Sequence, residues 1–503
     1  MIKRHFILVI FILFYILIQL FLNKSYGISW DEEKVYTRGK YLYEYLIEKN
    51  VNPAVSETLL NPGKDLNLNP FYNNTYALIL YVLNKSQNYD IYHLLNSLSV
   101  IPLFIAIYLL IYSLYKNQWF AILGPLTLIL TPSFFGHIPI NPKDIPFATA
   151  FFSSLSAVYF FSAKSNRLLR ILILGILFGI TQSLRVVGFS LYIILFLNDL
   201  YVYYTKDTVD KTLFEFIKEE FLSILLIFLI ANYYMVITWP YIGVSYFKHF
   251  IRIFYISQDF PWEGTVLFFG QNLSGHTLPL IFIPLLILFT TPLFILFYFF
   301  SSVFFVKKIW SNKIIMLCIF ALVTNLVLYF VLQPNALLRH FLYFIPIIVI
   351  IATISFIEFL KNSKHYHLKN FILIVSLINI LIVTYHIVLL HPYQLIYYNE
   401  LVGGIHGADS NFPLGIWSSA DKEASLWLRD YLSNQKLGEV KIFTCNNPNS
   451  SSDFFSKNMR LVTKVNEANY AICGSKTLSG VKFQIIHEVK RENTTLDYVF
   501  KIK

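Results

Sequence analysis

Apolar runs of roughly twenty residues recur along most of the chain, separated by short polar segments. A bilayer core about 30 Å thick is crossed by about 20 apolar residues in helical form, so each run predicts a spanning helix. The first, Phe6–Leu22, follows Lys3 and Arg4 and has no small-residue cleavage site behind it. It predicts a retained anchor with a cytoplasmic N-terminus, not a removed signal peptide. Further spans are expected at 94–115, 119–135, 144–162, 170–186, 188–204, 220–238, 278–305, 314–332, 340–360 and 370–390. That makes about eleven, an odd number, which puts the two chain ends on opposite sides of the membrane.

The loops between these runs alternate in charge. Lys164, Arg167 and Arg170, then Lys206, Lys211 and Lys218, then Lys307, Lys308 and Lys313, then Lys361, Lys364 and Lys369 fall in every second loop. Basic residues mark cytoplasmic loops. The opposite loops carry the acids Asp31, Glu32, Glu33, Asp144, Asp259 and Glu263, so the candidate chemistry lies on the extracytoplasmic side. Composition fits a lipid-embedded body: 56% of 503 residues are hydrophobic and 14% charged, against about 25% charged in soluble proteins. Forty Lys and Arg against 29 Asp and Glu leave +11. In such a chain that excess points to anionic membrane lipids, and not to nucleic acid.

Past His391 the pattern shortens. A helix is expected over 419–434, capped by Ser419, followed by strand-like runs at 440–444, 461–465, 470–473, 483–489 and 498–502. The expected organisation is a membrane module, 1–392, with outer loops 23–93 and 239–277, and a small extracytoplasmic α/β domain, 393–503. The aromatic loop from Trp239 to His276 is expected to lie flat on the membrane and cover a cleft, or to be simply interfacial. Cys318 falls within a span; Cys445 and Cys473 each end a short apolar run and could pair in an oxidising space. No Cys or His spacing marks a metal set.

Four polar constellations interrupt this pattern. Asp31-Glu32-Glu33 follows the first span beside Trp30; a partly desolvated carboxylate there suits a general base, while acids also favour a helix's first turn. In Asn141-Pro142-Lys143-Asp144-Ile145-Pro146, a Lys-Asp pair sits at the mouth of a span, where Asp144 could cap the helix, position a polar group, or both. Arg185 and Arg339-His340 lie at outer span ends; a lone arginine there snorkels to head groups, but several cations near two acids suggest a site. Tyr397-Tyr398-Asn399-Glu400-Leu401-Val402-Gly403-Gly404 follows the last span as an interfacial belt, without the setting of a nucleotide-binding loop.

In order along the chain, these segments resemble the GT-C membrane glycosyltransferases, specifically the protein O-mannosyltransferase and aminoarabinose-transferase group, glycosyltransferase family 39. Arg185-Val186-Val187-Gly188, Thr290-Thr291-Pro292 and Lys422-Glu423-Ala424 add to the likeness. Where the group's pattern has Tyr-Asp-Gly, Pro-Trp-Tyr and Asp-Tyr-Trp, this chain has Asn335-Ala336-Leu337-Leu338, Leu278-Pro279-Leu280-Ile281 and Gly415-Ile416-Trp417. The resemblance implies a polytopic α-helical GT-C fold with a C-terminal α/β domain, in a bacterial-type inner (plasma) membrane. It implies sugar transfer from a polyprenyl-phosphate-linked donor to a hydroxyl on a glycan, lipid or protein acceptor. Asp31, with Glu32 beside it, matches the first-loop acid and candidate base; Asp144 matches the second-loop acid. Lys143, Arg185, Arg339 and His340 then look like partners of the donor phosphate.

Chemistry is consistent with that set. A phosphate leaving group departs without a proton donor, so cations (or a divalent metal, for which no ligand set is evident) stabilise it while one carboxylate takes the acceptor's proton. In-line attack with no covalent intermediate predicts inversion. The rival expectations are a flippase for lipid-linked sugars, which would favour internal repeats and broken helices, neither of them evident in the sequence, and a non-catalytic scaffold.

Overall fold

The structure, a computed structural model, describes residues 5–49, 74–161, 166–205, 212–258, 264–305, 312–333, 337–363, 365–435 and 438–503. Lys164, Lys206, Lys211, Lys307, Lys308, Lys364, Asp259 and Glu263 lie outside these segments.

Helices form at the apolar runs, and two more, α2 and α3, form within the loop expected over 23–93: α1 (Phe6–Leu22), α2 (Glu32–Leu46), α3 (Asn74–Leu83), α4 (Tyr89–Leu98), α5 (Ile101–Tyr115), α6 (Gln118–Ile129), α7 (Pro132–Ile140) and α8 (Asp144–Phe160). Next come α9 (Arg167–Leu184), α10 (Ser190–Tyr204), α11 (Leu213–Thr238), α12 (Pro240–Val244) and α13 (Tyr246–Gln258), then a hairpin of β1 (Thr265–Phe268) and β2 (Gln271–Ser274). The bundle is completed by α14 (Phe282–Thr290), α15 (Leu293–Ser301), α16 (Lys313–Leu332), α17 (Phe344–Asn362) and α18 (Tyr366–Leu389). Among the described residues, eight helices are long and apolar enough to cross a membrane, or ten if each of two bent pairs is one span. The seventeen-residue α8 is buried among them. Two expected spans are broken: α6 and α7 meet at 73°, α14 and α15 at 114°. Pro132 and Pro292 stand at the breaks, where each lacks the N–H that a continuous helix needs.

The bundle has two unlike ends. Near one, Arg170 of α9 pairs with Asp199 of α10 and Glu220 of α11, and Lys361 lies 5.0 Å from the Tyr115 ring centre. At the other lie the ends of α1 and α9, the α7–α8 connection and a 3₁₀ turn, Leu338–Phe341. The described basic loops and the acids Asp31 and Asp144 thus occupy opposite ends.

Residues 393–414 bridge the two parts: Tyr393, Leu395, Ile396, Tyr397 and Ile405 pack in the core of the C-terminal helix and sheet, while Tyr398, Ala408 and Phe412 pack in the bundle core. Asn399 donates to the carbonyls of Leu288 (2.7 Å) and Thr291 (2.8 Å), which the α14–α15 break leaves without helical partners. The short helix α19 (Gly404–Asp409) leads on to α20 (Asp421–Ser433). After it come β3 (Val440–Thr444), α21 (Pro448–Ser452), β4 (Met459–Val462), β5 (Tyr470–Cys473), β6 (Phe483–Arg491) and β7 (Thr494–Ile502). The five strands form one sheet, ordered β4-β3-β5-β7-β6; β3 is parallel to β4 and β5, and β7 antiparallel to β5 and β6. Ala424, Leu428 and Leu432 of α20 bury against it. Ser419 does not cap α20, because its hydroxyl donates to the Ile416 carbonyl at 2.6 Å. Cys445 and Cys473 are joined, their Cα atoms 4.9 Å apart.

The sheet domain is tied to the bundle at its hairpin tip. Arg491 reaches Glu423 at 2.7 Å and the His391 carbonyl at 3.2 Å, while Glu492 meets His386 of α18 at 2.6 Å.

Candidate active site

The first outer loop leaves α1 through a 3₁₀ turn, Asn23–Ser25, and enters α2 at Asp31. Its backbone is held tightly. A Cβ on Gly27 would stand 2.0 Å from the Ser419 carbonyl oxygen, so only glycine fits there. The Ser29 hydroxyl donates to the Ile140 carbonyl at 2.7 Å and ties this loop to the second one. Glu32 is fully buried and faces inward, accepting from the Ser29 N–H at 2.6 Å and lying 2.9 Å from His93 Nε2. The other ring nitrogen of His93 is 3.1 Å from the Asn23 carbonyl, which only accepts, so Nδ1 carries a proton. Glu32 therefore braces the loop beneath Asp31 instead of sharing its exposure.

The second loop is organised by Asn141. Its carbonyl accepts from the N–H of Asp144 (2.9 Å) and of Lys143 (3.3 Å), and its amide donates to Asp144 Oδ2 at 2.9 Å. Asn141, not Asp144, thus caps α8. The Asp144 carboxylate is left to bind Arg185, which sits where α9 ends in extended backbone. Gly188 makes that ending possible: a Cβ there would lie 2.8 Å from the Gln182 backbone.

Asp31, 5% exposed, is the point of convergence. Lys143 Nζ is 2.8 Å and Arg339 NH1 3.7 Å from its Oδ2. Burial alone would raise this carboxyl, but Lys143 and Arg339 hold it below the ordinary aspartate range. Burial pushes Lys143 down to about 8, with Arg339 adding to the effect and Asp31 opposing it. Burial also lowers His340, reinforced by Arg185, Arg339 and Lys143, so His340 is neutral and adds no charge. It has one acceptor nitrogen for two donors, the Leu337 N–H at 3.3 Å and Arg339 Nε at 3.5 Å. Arg339 also lies 4.4 Å from the ring of Trp417, whose edge approaches His137.

The structure thus gathers Asp31, Lys143 and Arg339 in direct contact, Asp144 with Arg185, and His340 against Arg339. Three cations against two carboxylates leave one positive charge among these five side chains. All three cations keep part of their side chain exposed, 16–23%. Such an arrangement can take up an anion by exchanging carboxylate partners for it. Among the described residues no three His, Cys, Asp or Glu side chains converge as a metal-binding group. Sequence reasoning did not single out His93, Asn141 or Trp417 for the site. Asn141 carried a signal, an Asn before a proline ahead of an apolar run; His93, one polar residue among apolar ones, carried none.

No protein-family model matches the chain, and no curated protein matches it in sequence. Its fold is nevertheless similar to that of ArnT from Cupriavidus metallidurans. The apo crystal structure superposes with a TM-score of 0.52 at 10% identity, covering 98% of this chain and 97% of that one. The form bound to undecaprenyl phosphate gives 0.50 at 11% identity, covering 99% and 98%. At that identity the likeness is one of fold, and it is the GT-C fold that the sequence resemblance implied.

Proposed function

We propose that this chain is an inverting glycosyltransferase of the membrane, taking a sugar from a polyprenyl-phosphate-linked donor to an acceptor hydroxyl on the extracytoplasmic face. The observation that carries the reading is the convergence of Lys143 and Arg339 on the single buried carboxylate of Asp31, with Arg185 and Asp144 alongside. The likeness to a fold seen with undecaprenyl phosphate supports the donor class. The basic loops at the far end of the bundle support the sidedness.

In this mechanism the donor phosphate draws Lys143, Arg339 and Arg185 toward itself, and they stabilise the charge that grows as the glycosidic bond breaks. The same exchange releases Asp31. A carboxyl held low by two cations is a weak base; stripped of them in a buried site, it becomes a stronger one. Asp31 then takes the proton of the attacking hydroxyl while that oxygen bonds the anomeric carbon and the phosphate leaves. A single displacement inverts that carbon. Asp144 is the anchor that keeps Arg185 at the site, and Glu32, through His93 and Ser29, keeps Asp31 in place.

The test is transfer by the purified protein in lipid nanodiscs from a radiolabelled polyprenyl-phosphate sugar. The wild type should form a new glycosidic bond, and Asp31→Asn should lose about 10²–10⁴-fold in rate, the range of a general base. Movement of intact lipid-sugar across vesicles without bond formation would instead identify a flippase.

A further inference from the structure

We infer that Trp417 is a positioning residue for Arg339, so that the polypeptide entering the C-terminal domain completes the phosphate site. This rests on the proposed function above. Three observations point to it.

The first is the contact itself: the Arg339 guanidinium carbon is 4.4 Å from the indole ring centre. Arginine held over an indole face is attracted by the ring's quadrupole while its N–H groups, lying in the guanidinium plane, stay available to an anion. That matches Arg339, whose NH1 still reaches to 3.7 Å from Asp31.

The second is backbone strain. Trp417 (φ 58°) and Ser418 (φ 62°) are consecutive non-glycine residues in the left-handed region. Such backbone is disfavoured for residues other than glycine and persists only where the surroundings enforce it. This turn carries the indole at the edge of the C-terminal domain's core, where it meets Arg339 and His137 of the membrane module.

The third is what enforces the turn. Ser419 donates its N–H to the Ile416 carbonyl at 3.1 Å and its carbonyl abuts Gly27. The Asp421 N–H donates to the Ser418 carbonyl at 3.2 Å. Lys422 then donates to the carbonyls of Lys24 (2.6 Å) and Tyr26 (3.0 Å). The segment carrying Trp417 is thus clamped to the loop that carries Asp31. Base and phosphate ligand are set in register by one strap.

The experiment measures binding of undecaprenyl phosphate and steady-state transfer for the full chain in nanodiscs. It compares wild type, Trp417→Leu, Trp417→Phe, Arg339→Lys and the double variant Trp417→Leu/Arg339→Lys. A cation–π contact worth ~0.5–2 kcal/mol predicts a roughly 2- to 30-fold weaker affinity for Trp417→Leu, with Trp417→Phe in between. The loss should appear in the KM for the donor and not in kcat. It should shrink in the Arg339→Lys background, since an ammonium lacks the planar stack. Wild-type affinity in Trp417→Leu, or an equal loss in both backgrounds, overturns the inference. If leucine lowers the melting temperature, the Trp417→Phe pair carries the same predictions. Failure of the wild type itself to bind would overturn the glycosyltransferase reading, and this inference with it.

Discussion

The bundle buries arginine against carboxylates at both ends, and the two clusters are built for different ends. Arg170, Asp199 and Glu220 join three helices with side chains 4%, 1% and 10% exposed. One cation there faces two acids, so nothing invites an anion. Asp31, Asp144, Lys143, Arg185 and Arg339 use the same residue types with the count reversed and the cations 16–23% exposed. A sealed cluster with surplus acid suits a staple; a cluster with surplus, accessible cation suits the anion site proposed above. Residue identity does not separate the two, but charge count and access do.

The contrast breaks most sharply under truncation of the arginines. Arg170→Leu leaves two buried carboxylates without their cation and should destabilise by about 3–5 kcal/mol. The readout is a large fall in melting temperature, or loss of folded protein in detergent. Arg339→Leu, with its charge reaching solvent, should melt close to wild type yet bind undecaprenyl phosphate about 10- to 100-fold more weakly, the worth of a charged hydrogen bond. The opposite pattern for the pair would invert the two assignments.

Acidity sharpens the comparison further. Lys143 holds phosphate only when protonated, so donor affinity should fall as pH rises through about 8, approaching tenfold per unit above it. Stability should move the other way. Above about 8 the unfolded chain holds more protons on this residue than the folded one, so unfolding becomes harder as pH rises toward the ordinary lysine value. A donor-binding pH titration beside a melting series separates the two.

The smallest effect comes from a third arrangement, acid against acid. Asp421 and Asp497 are each 1% exposed and adjoin in the C-terminal domain, where Asn446 donates to Asp421 at 2.8 Å. Burial pushes Asp421 up to about 7; burial and then the charge of Asp421 raise Asp497 further. The folded pair thus holds a proton the unfolded chain would release, and stability should fall as pH rises from the ordinary aspartate value toward 7. Asp497→Asn supplies an amide N–H in place of that proton. It should flatten this slope and raise stability at pH 8 by about 1 kcal/mol in thermal melts.

How much of this the sequence showed depended on how local the signal was. Spans were legible from runs of apolar residues, and the separation of Asp31 and Asp144 from the described basic loops from alternating loop charge. The strands at 440–444 and 470–473 were legible too, because burial against α20 demands apolar side chains there. The broken spans were not: a hydropathy window sees 119–135 and 278–305 as continuous, while Pro132 and Pro292 end helices within them. The role of Glu32 was hidden because His93, its partner, lies in a different helix. Asp144 could be read as a cap, a polar anchor or both; the cap is made by Asn141, three residues earlier, and the anchoring of Arg185 by Asp144. Trp417 was unreadable as a ligand positioner because its left-handed backbone is imposed by contacts to residues some four hundred positions away.

In the proposed mechanism Asp31 and the donor phosphate compete for Lys143 and Arg339, and the affinity of Asp31→Asn for undecaprenyl phosphate measures that competition directly. With the carboxylate gone, both cations are released to the phosphate, so the variant should bind more tightly than wild type while transferring sugar about 10²–10⁴-fold more slowly. Equal or weaker binding by Asp31→Asn would contradict the account.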